Sequence, residues 1–308
     1  EWTEDEYIEI RELDITTFFS IKLIYEIETG HLFVIKKIHS DDQEILKLNT
    51  REYENYLSIN YPLIPKLYGK QKEDDCIIIQ YIHGQSLNNI DIQKLTIEDK
   101  ITIIVELMLI IQYLHENEFV YRDLKPDNII IDENKTVFLI DFDRMIKINS
   151  PESELEDHTN NFTTEFVAPE VNDGDISYKN DIYSLGMMMK HLQIERENDK
   201  IITLFHDCIS YTANQRPSIF ELLSKFYSIF IEHFNKTFVI NFSEFQLLLG
   251  NIYYECQHIE RDINKSIHYY SLAANQNNPI AQNKLGFFYY EGKYISQDII
   301  KSIHYYSL

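Results

Sequence analysis

Residues 121–128 read Tyr-Arg-Asp-Leu-Lys-Pro-Asp-Asn, which sets the carboxylate of Asp123, the amine of Lys125 and the amide of Asn128 at offsets of two and five residues. Thirteen residues beyond Asn128 begins the triplet Asp141, Phe142 and Asp143. These side chains suit phosphoryl transfer. That reaction needs an acceptor for the hydroxyl proton, a cation on the moving phosphate and two oxygen ligands for magnesium, prepositioned in a nearly dry cleft. Asp123, Lys125 and the pair Asn128 with Asp141 can supply those roles in that order. The acidic sites need a common support. Residues 129–131 and 137–140 are short β-type runs split by the turn residues Asp132, Glu133 and Asn134, which predicts a hairpin carrying both.

The run 121–128 together with 141–143 resembles the catalytic loop and the metal-binding motif of protein kinases. The resemblance implies an α+β fold of two lobes spanning residues 8–232, with a small β-rich lobe at about 8–82 and a helical lobe at about 83–232. It also implies ATP and Mg2+, with Mn2+ as an alternative, and transfer of the γ-phosphate to a serine or threonine hydroxyl of a protein. Asp123, Lys125 and Asn128 are then the catalytic set, and Asn128 and Asp141 the metal ligands. Lys125 beside Pro126 resembles the serine/threonine form of the loop. Tyr121 stands where the family usually has histidine, an exchange that keeps aromatic packing under the metal-binding segment.

Further residues follow from the same resemblance. Two β-rich runs, 18–28 and 31–38, flank a turn at Glu28, Thr29 and Gly30, and the second ends in Val34, Ile35, Lys36 and Lys37. An apolar pair directly before it assigns Lys36 as the lysine that holds the α- and β-phosphates. A helix over 42–58 presents Glu52 ten residues before Pro62 as the partner of that lysine. Glu54 is the alternative, and two residues of helix turn it to another face. Ile79 takes the gatekeeper position, Gln80 to Ile82 the hinge, and Ile21, Val34, Ile79, Gln80 and Ile82 join Lys36, Glu52 and Asp141 at the nucleotide. Phe166 to Glu170 resembles the anchor motif whose glutamate pairs with a distant arginine, here Arg216. Asp181 matches the aspartate that braces the catalytic loop.

Three departures weaken the match. The segment 13–21 stands where kinases carry a glycine-rich turn, but Asp14, Thr16 and Phe19 occupy the glycine places. Without one backbone hydrogen bond to a charged phosphate the complex is weaker by roughly 1.5–3 kcal/mol, so the substitutions attenuate the chemistry without removing it. Asp143 replaces the glycine that gives the metal-binding segment its backbone freedom. Only 35 residues separate Asp181 from Arg216, which implies that the substrate-docking helix is trimmed or lost. These departures keep a second expectation open, a pseudokinase that binds nucleotide or proteins without phosphotransfer. Ser150, Ser153, Thr159, Thr163 and Thr164 are candidates for activation-segment phosphorylation beside Arg122, and Glu152, Glu154, Glu156 and Asp157 could mimic that phosphate. A helix-end histidine such as His115 is assigned no chemistry.

Composition bounds the partners. With 50 acidic and 28 basic residues the chain carries a net charge of −22, which disfavours nonspecific nucleic-acid binding and favours either solubility, as a solvated acidic surface, or basic partners. Cys76, Cys208 and Cys256 are three scattered thiols without metal-ligand spacing, as expected of a cytoplasmic protein. Glu106 and Gln112 interrupt the most apolar stretch, 101–114, whose apolar residues recur at helical spacing, so no membrane segment is expected. Residues 1–14 are acidic and read as a solvated lead-in to the first strand.

The tail repeats. Residues 249–272 recur as 285–308, a period of 36 with about two thirds identity, the mark of a helical solenoid. The unit from Asn278 to Gly292 resembles Sel-like repeats, relatives of tetratricopeptide repeats, over 243–308. Each unit is expected to be a helix pair, brought close by Ala281 and Gly286 and striped by Ile299, Ile303 and Tyr306. The tyrosines are read as packing residues. Phe245 and Cys256, in place of Ala281 and Gly292, mark an atypical first repeat. Two repeats alone are marginal, so further repeats beyond Leu308 and a protein partner on the array are expected.

Overall fold

The computed structural model describes residues 2–71, 76–148, 165–234, 243–255 and 263–307. The candidate phosphorylation sites between 150 and 164, the acids beside them, Cys256 and the side chain of Phe245 lie outside the described residues. The chain divides into two compact units, Glu1–Phe220 and Glu221–Leu308. That division falls before the boundary at 232 expected from sequence, within a helix at Ile219–Phe234.

The first unit opens with an antiparallel sheet of five strands: β1 (Tyr7–Ile15), β2 (Phe19–Glu26), β3 (Leu32–Ile38), β4 (Leu67–Lys70) and β5 (Cys76–Gln80), in the order β1-β2-β3-β5-β4. Side chains alternate across a pleated strand. Phe33, Ile35, Cys76 and Ile78 therefore join Ile24 in a buried cluster on one face, and Val34, Lys36, Ile77 and Ile79 point to the other. The register sets Lys36 between Ile21 and Ile77, and Val34 beside Ile79. One expectation fails here. Residues 1–14 are no loose lead-in, because β1 starts at Tyr7 and Trp2 bridges to Gln71. Beyond Tyr7, β1 is exposed along its whole length, so its ladder to β2 rather than burial makes it a strand, and an acidic composition is compatible with that position.

Helix α1 (Gln43–Ser58) is capped by Asp42, whose carboxylate accepts from the Glu44 N–H. It buries Leu48, Asn49, Glu52, Asn55 and Tyr56, while Glu54 is exposed. β6 (Gly84–Ser86) leads into the helical part. Helix α2 (Ile97–Glu116) starts in a capping box between Thr96 and Asp99 and buries the predicted stripe Ile101, Ile104, Met108, Ile111 and Leu114. It also buries Glu106 completely. β7 (Phe119–Val120), which leads into the loop 121–128, pairs with a later strand. The predicted hairpin is present as β8 (Ile129–Asp132) and β9 (Val137–Leu139), with β6 on its outer edge. The partner of β7 is β10 (Ile146–Lys147). Helices α3 (Tyr178–His191) and α4 (Asp199–Cys208) follow, and among the described residues α4 is the one α-helix between α3 and Arg216. That agrees with a trimmed docking region. No helix among the described residues is long and apolar enough to cross a membrane.

Helix α5 (Ile219–Phe234) contains the point of division, and in the second unit the repeats are the helix pairs α6 (Ser243–Glu255) with α7 (Ile263–Asn275) and α8 (Pro279–Glu291) with α9 (Ile299–Tyr306). Their contacts repeat with the sequence. Ser266 donates to the Gly250 carbonyl at 2.8 Å and Ser302 to that of Gly286 at 2.9 Å. Tyr253 stacks on Tyr269 and Tyr289 on Tyr305, with centroids 5.7 and 5.8 Å apart, so these tyrosines pack. Tyr270, Ala281, Leu285 and Phe288 form a buried core. Ile299, Ile303 and Tyr306, the expected stripe, stay about half exposed or more at 46%, 63% and 51%.

Candidate active site

A cleft of about 690 Å3 lies against the sheet face that carries Lys36, and it is lined by Ile21, Val34, Ile79, Gln80 and Ile82 as well as by Lys36, Glu52, Asn128 and Asp141. All eight residues expected around the nucleotide are therefore gathered in one place. The ammonium of Lys36 lies 2.6 Å from Glu52 Oε2 and 3.0 Å from Asp141 Oδ1. Glu52 rather than Glu54 makes the pair, because the buried stripe of α1 turns toward β3 and Glu54 lies on the opposite, solvated side. Burial alone would push the Lys36 ammonium down, but Asp141 and Glu52 outweigh it and hold the group well above its ordinary value. Burial would likewise raise Asp141, and Lys36, with Lys125 and Arg144 beyond, keeps its carboxyl below the usual range.

The loop 121–128 is held through its backbone. Asp181, on α3, accepts from the Tyr121 N–H at 2.9 Å and from the Arg122 N–H at 2.8 Å. His115 adds a contact from its Nε2 to Asp181 Oδ2 at 2.9 Å, so a residue given no role in the sequence braces the same carboxylate. With these anchors Arg122 adopts φ 74°, in the left-handed region that non-glycine residues rarely occupy. Within the loop, Lys125 Nζ lies 2.7 Å from Asp123 Oδ2, and Asn128 Nδ2 donates to Asp123 O and Oδ2, each at 2.9 Å. Burial lifts the Asp123 carboxyl above its ordinary value, and Lys125 opposes the shift.

The loop and the segment that leads into Asp141 meet through the backbone, with the Ile140 N–H donating to Asn128 O at 3.0 Å. Tyr121 Oη donates to Ile140 O at 2.6 Å, and its ring meets that of Phe142 edge-on at 5.4 Å. Asp141 itself has φ 65°. Asn128 and Asp141 fit a hard divalent cation. The Asn128 nitrogen is spent on Asp123 and one Asp141 oxygen on Lys36, which leaves an amide oxygen and a carboxylate oxygen, the donors that Mg2+ prefers. No cluster of three His, Cys, Asp or Glu suited to a metal gathers among the described residues. Asp143, at the former glycine place, has a buried Oδ1 without a hydrogen-bond partner, and burial together with the charge of Asp141 pushes its carboxyl up to about 8.

The turn without glycines closes on Thr16, whose N–H donates to Phe19 O at 2.8 Å and whose hydroxyl accepts from the Phe19 N–H at 3.0 Å. Asp14 lines the cleft. The ring of Phe19 lies 4.7 Å from the Lys36 ammonium, a contact that its position in the sequence did not announce. Elsewhere in the unit, Glu170 and Arg216 form the expected pair in bidentate geometry, at 2.6 and 2.8 Å, with Arg216 fully buried.

The family model of the protein kinase domain matches residues 7–198, and that of the Sel1 repeat matches 243–278 and 279–308. A protein of Acanthamoeba polyphaga mimivirus, named as a serine/threonine-protein kinase, is 30% identical over 200 residues, 60% of this chain and 71% of its own length. Serine/threonine-protein kinase PrkC of Bacillus subtilis is 27% identical over 166 residues, 52% of this chain and 25% of its own. An Aurora kinase of Debaryomyces hansenii is 29% identical over 168 residues, 52% of this chain and 40% of its own. The matched stretch thus spans less than half of the last two relatives.

Proposed function

From the membership of this chain in the protein kinase family, with Sel1 repeats after its kinase domain, we propose that it is an ATP-dependent serine/threonine protein kinase with a repeat scaffold for a protein partner. The observation that carries the reading is the bridge from Lys36 to both Glu52 and Asp141, because it orders a phosphate-binding cation and a metal-binding carboxylate together. Lys36 holds the α- and β-phosphates. Asp123 orients the acceptor hydroxyl and takes its proton. Its Oδ2 is occupied by Lys125 and Asn128, so Oδ1 is the oxygen that meets the hydroxyl. Lys125 also neutralises the transferred group. Asn128 and Asp141 would hold Mg2+, which when bound supplies neutralisation of phosphate charge.

The test is transfer of labelled γ-phosphate, to the protein itself and to a basic test protein, by the wild type and Asp123→Asn. Loss of about 10²–10⁴-fold in the variant is expected for a positioned base. Equal background in both, from folded protein under several metal conditions, would overturn the reading.

Phe19 favours a second reading. Its ring contacts the Lys36 ammonium and would compete with a phosphate for that cation, which would weaken nucleotide binding and suits a pseudokinase. Phe19→Gly is expected to tighten Mg·ATP binding by about tenfold, the equivalent of one charged hydrogen bond. Unchanged affinity together with normal wild-type turnover removes the pseudokinase reading.

A further inference from the structure

Asn55 is a buried amide on α1, 7% exposed, one helical turn after Glu52. Its Nδ2 donates to two backbone carbonyls of another part of the chain, Phe142 O at 2.7 Å and Met145 O at 2.8 Å. Those carbonyls bound the turn that follows Asp141, in which the Met145 N–H also donates to Phe142 O at 3.3 Å. A single nitrogen thus satisfies two acceptors that burial would otherwise penalise. Glu52, Asn55 and Tyr56 stand at i, i+3 and i+4, on one helical face. Each meets the metal-binding side of the cleft differently. Glu52 meets Lys36, Asn55 the backbone of 142–145, and Tyr56 the Phe142 ring, edge-on at 5.1 Å.

The segment so held lacks the glycine that would let it change state, and Asp141 within it has a left-handed φ of 65°. A backbone in that region persists where its surroundings over-determine it. We propose that Asn55 is a positioning residue: it fastens the backbone after Asp141 to the helix that carries Glu52, and so fixes the Asp141 carboxylate where it serves the cation. The inference rests on the reading of Asp141 as a metal ligand. The chemistry selects asparagine narrowly. Leucine has a similar volume and no donor, and aspartate has the same shape with acceptors only, which would face both carbonyls with like partial charge. Glutamine is longer by one methylene.

The experiment compares wild type, Asn55→Leu, Asn55→Asp and Asn55→Ser by thermal shift with ATP, first in EDTA and then across a Mg2+ titration. Leu48→Ala, a buried change on the same helix, supplies the control for simple destabilisation. In Asn55→Leu the metal-free ATP shift is expected to stay within about twofold in apparent affinity, while the Mg2+ concentration for half the metal-dependent shift rises about tenfold, the scale of one missing supporting interaction at a metal site. Asn55→Asp should show the larger rise. Asn55→Ser, which keeps a hydroxyl donor and needs less repacking, stands in if the leucine variant does not fold. Leu48→Ala should lower the melting temperature without moving the Mg2+ midpoint. A midpoint equal to wild type in folded Asn55 variants, or one moved as far by Leu48→Ala, overturns the inference alone. Absence of any Mg2+-dependent ATP shift in the wild type itself overturns the nucleotide reading, and the inference with it.

Discussion

Lys36 serves two carboxylates with one ammonium, and the residues around that ion pair differ in how far they could be read in advance. Lys36, Asp123, Asn128 and Asp141 were legible because each sits within a short motif, whereas Glu52 was one of two candidates on the helix that the burial of α1 separates. Asn55, Phe19 and His115 were not. Each acts through a partner distant in sequence, up to 90 residues away for Asn55, and nothing in its own neighbourhood marks it. Asp143 was legible as an anomaly but its cost was not, since the missing partner of its buried Oδ1 appears only once the segment is folded. That cost is testable. An unsatisfied buried polar atom costs about 1–3 kcal/mol, and a glycine returns about 0.5–1 kcal/mol of that as backbone entropy. Asp143→Gly is therefore expected to raise stability at neutral pH by about 1 kcal/mol or more, read from denaturant unfolding of the first unit. A loss of stability would mean that Asp143 has a favourable role in the folded protein.

Elements were legible where periodicity was strong and illegible where pairing alone makes them. The apolar spacing of 101–114 announced α2, whereas β1 carries no buried alternation beyond Tyr7 and owes its form to the ladder with β2. Even in α2 the sequence misled at one position. Glu106 was read as a polar interruption, yet it is fully buried, its Oε2 accepts from the Val137 N–H at 2.7 Å, and Oε1 has no partner. It thereby ties α2 to the start of β9, the strand that leads to Asp141. Burial pushes its carboxyl up to about 8, against the opposing pull of the Val137 N–H. The folded protein therefore keeps a proton that the unfolded chain releases near pH 4.5, so the stability this group provides is full below that pH and is lost as pH rises through about 8. Glu106→Gln keeps an acceptor for Val137 and removes the titration. Unfolding free energies of the two proteins are expected to agree near pH 4.5 and to diverge in favour of the variant toward pH 9, with a slope of at most about 1.4 kcal/mol per pH unit. Parallel pH profiles would show that Glu106 is ionised in the folded state.

At the scale of the whole molecule, the 36-residue period and the close helix contact at Gly286 were visible in sequence, but the difference between the two repeats at that contact was not. A Cβ at Gly250 would collide with the ring of Tyr270, which is fully buried, while one at Gly286 would sit 3.0 Å from Tyr306, which is 51% exposed and free to give. Overpacking a site that cannot relax costs about 1–3 kcal/mol. Gly250→Val should therefore destabilise the repeats clearly, and Gly286→Val less. Because the chain divides between Phe220 and Glu221, that loss should be confined to the second unit. Nucleotide provides the complementary probe. A ligand at a hundred times its Kd stabilises the unit that binds it by about 2.7 kcal/mol and leaves an independent unit unmoved. Calorimetry of the full chain is expected to resolve two transitions, one raised by Mg·ATP and the other lowered by Gly250→Val. If both perturbations move the two transitions together, the units unfold as one body, and the repeats are then coupled to the cleft rather than attached to it as a separate scaffold.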